Sequence, residues 1–272
     1  MSAKRLIIIS TTTILILLLT IGGIRLYNKL SYNKQAHTTD IYTFIPSDAT
    51  HIVRINNSQG LQDTYHYDSA FVYITDPLKK YVTYPLFFLS YPDDQLLMTK
   101  INPEYEEESK EIIGSLITSP PYAKERTYKD AKLLFYALPD GQFIVCSFFK
   151  GIFVIGRNYK LIEKVIDTQD NIYIYNKPFD EYEVNIKRNY PSDVFVKSDS
   201  ISAILGLNVV NDTLIFEGYA DKYYAMQEDI LSNIILTDAS HYNIAGIDTT
   251  QTDNAISMKI LLNKKAKTAF NN

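Results

Sequence analysis

Residues 132–155 read KLLFYALPDGQFIVCSFFKGIFVI, and this stretch carries the clearest strand pattern in the sequence. Three apolar runs, 132–138, 142–149 and 152–155, follow one another with only the tight turns PDG and KG between them. Short runs rich in β-branched and aromatic residues are typical of strands. Strands joined by so few residues pair antiparallel, because a parallel partner needs a long crossover. The stretch therefore predicts three consecutive antiparallel strands.

The same kind of pattern continues on both sides of this stretch. The other predicted elements are strands at 51–55, 84–91, 95–101, 241–247 and 255–262, and helices from Pro103 to before Pro120 and over 158–166. The strands occur in pairs and triples rather than singly between helices. This order predicts an α+β fold of mainly antiparallel sheet with a few packed helices.

The N-terminal stretch LIIISTTTILILLLTIGGI, residues 6–24, contains no charged residue. As a helix rising about 1.5 Å per residue, it just spans a hydrocarbon core of about 30 Å. The sequence therefore predicts one transmembrane anchor over residues 6–26, after a head of residues 1–5. The alternative is a cleaved secretory signal, because Lys4 and Arg5 before an apolar run are also typical of export peptides. We favour the anchor because no A-x-A processing site follows.

The flanking charges do not decide the orientation of this anchor. Lys4 and Arg5 on one side are balanced by Arg25, Lys29 and Lys34 on the other. Large domains are translocated largely regardless of their own charge, and a short head stays inside easily. We therefore expect a single-pass membrane protein with its N-terminus in the cytoplasm and its body outside.

The remainder of the protein is acidic. Residues 31–272 carry 31 Asp and Glu against 23 Lys and Arg, a net charge of −8. Without a basic surplus the body has no means of neutralising phosphates, so we expect no nucleic-acid partner. Cys146 is the only cysteine, which excludes an intramolecular disulfide, a Cys-based zinc site and a lipid-attachment cysteine after the apolar run.

The body divides by pattern into three parts. Residues 27–40 are polar and predict a stalk, residues 41–263 form the predicted extracytoplasmic α+β domain, and residues 264–272 form a predicted flexible tail.

Two pairs of segments within this domain resemble each other. Residues 94–118 align without gaps with residues 212–236, and the box IPSD at 45–48 resembles YPSD at 190–193. One interpretation is that the domain consists of two similar halves, about 41–170 and 178–263. The other is that strand-then-helix units share an architecture without duplication.

Several short motifs occur in a recognisable order. They are FIPSDA at 44–49, NYKLIEKVI at 158–166 and DTLIFEGYA at 212–220, behind an anchor and a stalk. In this order they resemble an uncharacterised family, a domain of unknown function, of N-terminally membrane-anchored bacterial envelope proteins common in Bacteroidota. The resemblance implies an extracytoplasmic α+β domain without an assigned activity. It also implies a single-pass protein of a bacterial cytoplasmic (inner) membrane, with its body in the periplasm or outside. The family-like positions, whose role is unknown, are Pro46, Asp48, Leu161, Ile162, Glu163, Gly218 and Tyr219.

No pattern in the sequence predicts a catalytic, cofactor or metal site. The four histidines are isolated, and neither a serine nucleophile elbow nor a phosphate-binding loop is present. The glutamates between residues 104 and 111 are explained by the favourable field at a helix N-terminus. Cys146 lies within the run FIVCSFF, where we expect a buried and unreactive thiol.

The sequence thus predicts a membrane-anchored envelope protein whose outer domain has a binding or structural role rather than an enzymatic one. Its expected partners are the membrane and an unknown envelope protein, lipid or wall component. Two alternatives remain open: an anchored hydrolase with a dispersed acidic site, and a lipid-carrier-like domain with an apolar cavity under a curved sheet.

Overall fold

The computed structural model contains an antiparallel sheet with helices packed on both of its faces, preceded by a long apolar helix. The predicted α+β class is therefore confirmed. The structure describes residues 3–67, 72–92, 94–117, 123–138, 141–168, 190–197, 202–211, 213–221, 242–251 and 255–264. The tail from residue 265 on, the start of the second predicted half at residue 178 and most of the aligned segment 212–236 lie outside these ranges.

The helices are α1 (Ala3–Thr38), α2 (Ser58–Tyr67), α3 (Val72–Leu78), α4 (Glu106–Ile117) and α5 (Tyr159–Thr168), and short 3-10 turns span Ile41–Phe44 and Pro103–Tyr105. The strands of the first part of the chain are β1 (His51–Ile55), β2 (Val82–Tyr91), β3 (Asp94–Ile101), β4 (Lys124–Tyr128), β5 (Ala131–Ala137), β6 (Phe143–Phe149) and β7 (Ile152–Gly156). Those of the second part are β8 (Ser192–Lys197), β9 (Ser202–Val210), β10 (Thr213–Asp221), β11 (Tyr242–Gln251) and β12 (Ala255–Lys264).

All described strands join one twelve-stranded sheet, in the order β11-β12-β10-β9-β8-β1-β2-β3-β7-β6-β5-β4. The strands before residue 160 occupy one side of this sheet and the strands after residue 190 occupy the other. The two sides meet where β1 pairs with β8, with His51 opposite Val196 and Ile55 opposite Ser192. We call this β1–β8 pair the seam.

The seam places the aligned segments at equivalent positions but not in the same register. β3 and β10 are each the third strand from the seam on their own side. Leu97 of β3 belongs to the same apolar layer as Leu214 and Phe216 of β10, whereas Ile215, its partner in the ungapped alignment, is absent from that layer. Neighbouring strand residues face opposite sides of a sheet. The ungapped alignment therefore matches residues that face opposite sides of the sheet, and a shift of one residue would match residues on the same side.

The sheet separates two apolar layers. One layer includes Phe88, Phe153 and Phe216 and is joined by residues of α2, α3 and α4. The other includes Phe87 and Phe195 and is covered by α5 and the turn at Ile41–Phe44. Because both faces are buried, strands such as β7 are continuous apolar runs instead of alternating ones.

The predicted anchor and stalk form a single helix. Residues 6–26 lie in α1, which continues through the polar segment and ends at Thr38. The hydroxyls of Thr13 and Thr20 each donate a 2.8 Å hydrogen bond to a carbonyl one turn earlier, so these polar groups are satisfied within the helix. By length and composition, α1 is the one candidate membrane span within the described residues.

Candidate functional site

Five of the seven family-like positions lie near one another, around α5. Pro46 is buried beside the turn that α5 packs on, and Ile162 is fully buried in the apolar layer beneath α5. Leu161 packs against the edge of that layer. Asp48 forms an ion pair with Lys164 of α5, the residue that follows Glu163.

Gly218 and Tyr219 are not part of this group. They lie on β10, three strands from β1, which is about 14 Å at the usual strand spacing. A Cβ atom on Gly218 would lie 2.1 Å from the carbonyl oxygen of Ile204 on β9, so this position accommodates close strand packing. Tyr219 is half-buried and pairs with Ile204 on one side and Ser257 on the other. Both residues therefore have a structural explanation.

Ion pairs fasten α5 to its surroundings. In addition to the Asp48–Lys164 pair, Arg126 of β4 contacts Glu163 at 2.7 Å, and Lys129 contacts Asp167 at 2.6 Å. Hydrogen bonding to Lys129 lowers the pKa of Asp167. Lys164 and Asp48 are about half exposed, at 44% and 51%, and exposed pairs of this kind stabilise a protein by less than about 1 kcal/mol each. Each of these acids is matched by a base, so the cluster attaches α5 to the sheet.

A second polar cluster is buried at the seam. Arg54 of β1 is 8% exposed, and Asp193, its direct neighbour on β8, is 3% exposed. The Nε and Nη2 atoms of Arg54 donate to Oδ2 of Asp193 at 3.0 and 2.7 Å. The side-chain amide of Asn56 donates to the same carboxylate oxygen at 2.7 Å and to the carbonyl of Tyr190 at 3.0 Å. Nη1 of Arg54 donates to the hydroxyl of Tyr42 at 3.0 Å. We call these five residues the seam cluster.

The seam cluster acts as a clamp, by which we mean that it holds two neighbouring strands together and offers no group to a substrate. Its two charges neutralise each other, and the guanidinium and the carboxylate belong to strands from the two sides of the sheet. A general acid or base must exchange a proton with a substrate, which a buried and mutually paired Arg–Asp couple does not offer. The cluster therefore holds the first part of the chain against the second.

The two similar boxes thus have different roles. Asp48 of the first box pairs at the surface with a lysine of α5, whereas Asp193 of the second pairs with Arg54 in the interior. The ring of Tyr190, which opens the second box, lies on Gly206 of β9, where a Cβ atom would come within 2.0 Å of it. This glycine therefore leaves the space that the aromatic ring occupies.

Two glutamates of α4 are each engaged by a tyrosine from another part of the chain. Glu106 accepts a 2.8 Å hydrogen bond from Tyr32, and Glu108 accepts one of 2.5 Å from Tyr81. Cys146 is fully buried in β6, and burial raises the pKa of its thiol. Within the part of the protein that the structure describes, no group of three His, Cys, Asp or Glu side chains is placed to hold a metal ion.

Comparison with solved structures identifies a similar fold. Crystal form III of TP0453, a Treponema protein, superposes with a TM-score of 0.51 at 9% sequence identity, covering 83% of this chain and 94% of that one. Crystal form IV of the same protein gives a TM-score of 0.50 at 9% identity, covering 82% and 94%. Comparisons with protein families and with curated proteins give no match. At this level of identity the likeness concerns the fold alone.

Proposed function

We propose that this protein is a single-pass membrane protein of a bacterial envelope, whose α+β body lies outside the cytoplasm and binds or positions another envelope component. The observation that carries the proposal is the exposure of α1. Its apolar residues from Ile9 to Leu30 do not pack on the body, and none of its most apolar window is buried. An apolar helix of this length that covers no core is suited to a hydrocarbon environment.

The continuity of α1 favours a retained anchor over a cleaved signal. The helix passes through Gly22 and Gly23 without interruption and continues for fifteen further residues to Thr38. Export peptides end at a small-residue cleavage site of the A-x-A type, and no such site follows the apolar run. The inner membrane, the periplasmic position of the body and the resemblance to envelope proteins of Bacteroidota are parts of this proposal.

The paired charges support a binding or structural role for the body. Arg54 and Asp193 clamp the seam, and Asp48 and Glu163 help to attach α5. A hydrolase with a dispersed acidic site would instead need carboxylates that converge on a substrate. The body therefore acts through its surface, on a protein, a lipid or a wall component of the same envelope.

Alkaline extraction of cell membranes tests the anchor. We expect the full-length protein to remain in the membrane pellet, whereas the double variant Leu15→Lys and Leu18→Lys should be released, because each charge at the centre of a span costs about 2.5–3.5 kcal/mol. The double variant Ser31→Lys and Gln35→Lys, at two exposed positions beyond the predicted span, provides the matched control and should not change retention. Release of the unmodified protein would contradict the proposal.

Crosslinking of the full-length protein in intact membranes, followed by purification, tests the binding role. We expect one reproducible envelope component to be captured. The capture should be lost when the body is unfolded before crosslinking. Equal capture before and after unfolding would show that the body does not recognise a partner through its folded surface.

A further inference from the structure

The C-terminal end of α1 contacts the body at three separate places. Tyr32 donates a 2.8 Å hydrogen bond to Glu106 at the start of α4. Lys100, at the end of β3, donates through Nζ to the carbonyl of Thr39 at 2.8 Å. Ala36 is buried against Gly151 in the turn between β6 and β7. We call these contacts together the joint.

Gly151 fixes how closely the helix approaches the body. A Cβ atom at this position would lie 2.4 Å from the Cβ and 2.8 Å from the Cα atom of Ala36, well inside van der Waals contact. Gly151 also has a φ of +76°, in the left-handed region that favours glycine. The helix therefore rests directly on the backbone of the turn, without a flexible side group between them.

Lys100 caps the C-terminal end of α1. The last carbonyls of a helix lack partners within the helix and carry a partial negative charge. Nζ of Lys100 lies 2.8 Å from the carbonyl oxygen of Thr39 and 3.4 Å from that of His37, so a charge on the body compensates the end of α1. In this arrangement a lysine of β3 caps the C-terminus of the helix.

The joint is also tied to the sheet through α4. Glu106 contacts Lys110 at 2.8 Å, and the Lys110 ammonium lies 5.4 Å from the ring centre of Phe148 on β6. Burial alone would lower the pKa of Lys110, but its hydrogen bonds to Glu106 and Glu107 outweigh burial and raise the pKa. Lys110 therefore remains charged and links the acceptor of Tyr32 to the core.

We propose that α1 and the body form one rigid unit. In this unit, the end of the sheet that contains the β6–β7 turn lies next to the bilayer. The rigidity is a property of the joint itself, whereas the direction toward the bilayer rests on the proposed anchor. Ala36 follows the last predicted membrane residue, Leu26, by ten residues, about 15 Å of helix. This end of the sheet is thus close to the headgroup layer, and the opposite end, with Arg157, is farther from it.

A pair of glycine variants tests the joint in the full-length protein. Gly141 has a φ of +81°, close to that of Gly151, but a Cβ atom there would meet nothing within 4 Å. Gly141→Ala and Gly151→Ala therefore share the backbone strain, and only the second disturbs α1. Spin labels attached to Tyr27→Cys and Lys132→Cys, both at exposed positions, report the distance between helix and body, while buried Cys146 stays unlabelled.

In detergent micelles we expect one narrow distance distribution for the unmodified protein and for Gly141→Ala, and a broad or shifted one for Gly151→Ala. A broad distribution in the unmodified protein, or equal distributions in both variants, would overturn the rigid joint. If Gly151→Ala does not fold, Tyr32→Phe combined with Lys100→Met removes the two polar contacts of the joint and should also broaden or shift the distribution. A distribution that stays narrow and unshifted in that variant would also overturn it.

A second measurement, in bilayers, tests the direction separately. Single spin labels on Asp130→Cys, in the turn between β4 and β5, and on Arg157→Cys, beyond the end of β7, lie at opposite ends of the strands. Paramagnetic lipid headgroups should broaden the signal at position 130 more strongly. Equal or reversed broadening, with the joint still rigid in micelles, would overturn the orientation while leaving the joint intact.

Discussion

Replacing Arg54 with methionine should lower the free energy of unfolding by about 3–5 kcal/mol, because removing one partner of a buried ion pair leaves the other charge uncompensated. Arg54 donates two hydrogen bonds to the Asp193 carboxylate, against one from Asn56, and both members of the ion pair are buried. Urea unfolding of the full-length protein in detergent, followed by circular dichroism, measures the loss.

Lys164→Met is the control, because it breaks a basic–acidic ion pair that lies at the surface instead of in the interior. We expect a loss of less than about 1 kcal/mol there. Replacing Arg54 and Asp193 together with methionine and leucine should cost less than Arg54→Met alone, since no buried charge then remains. Similar losses for Arg54→Met and Lys164→Met would show that the seam cluster is not a clamp.

Phe87→Ala and Phe216→Ala should each lower the free energy of unfolding by about 3–5 kcal/mol, and both should shift the same transition. Phe87 lies on β2 and Phe216 on β10, on opposite sides of the seam, and both are fully buried. Because β1 and β8 pair over five residues and share the seam cluster, unfolding of one side exposes the other. Differential scanning calorimetry of the two variants measures the shifts.

Phe143→Ala is the control for these phenylalanine variants, because Phe143 is 46% exposed. Its effect should be smaller, about 0.5–1.5 kcal/mol, because the variant loses the edge-to-face contact with the ring of Phe135, whose centre lies 6.3 Å away. Two separate transitions, one moved only by Phe87→Ala and the other only by Phe216→Ala, would contradict cooperative unfolding of the sheet. They would favour two independently stable halves.

The strands that the sequence predicts well are those with local signals. The stretch 132–155 corresponds to β5, β6 and β7, because short turns and apolar runs report directly on hairpins. The sequence does not predict β4, because KERTY has no apolar run. This is an edge strand, where charged residues discourage pairing with other proteins. It does not predict β9 either, because Gly206 weakens the strand pattern. This glycine makes room for the ring of Tyr190, a contact that the neighbouring sequence does not reveal.

The polar clusters could not be predicted because their members are far apart in the sequence. Arg54 and Asp193 are separated by 139 positions, and Asp48 and Lys164 by 116. Only the pairing of β1 with β8 and the packing of α5 bring them together. The joint could not be predicted for a similar reason. The polar pattern of residues 27–40 predicts a stalk, and the contacts that extend α1 to Thr38 come from distant parts of the chain.

Labelling of Thr250→Cys in intact cells shows whether the protein is anchored with its body outside the cytoplasm. Thr250 is exposed on β11, and the native Cys146 gives no background because it is fully buried. The probe is a small membrane-impermeant maleimide, and mass spectrometry of the intact protein records the label and the N-terminus together. We predict labelling before lysis on a protein that still contains residues 6–26. Labelling only after lysis, or on a protein that has lost these residues, would contradict the account.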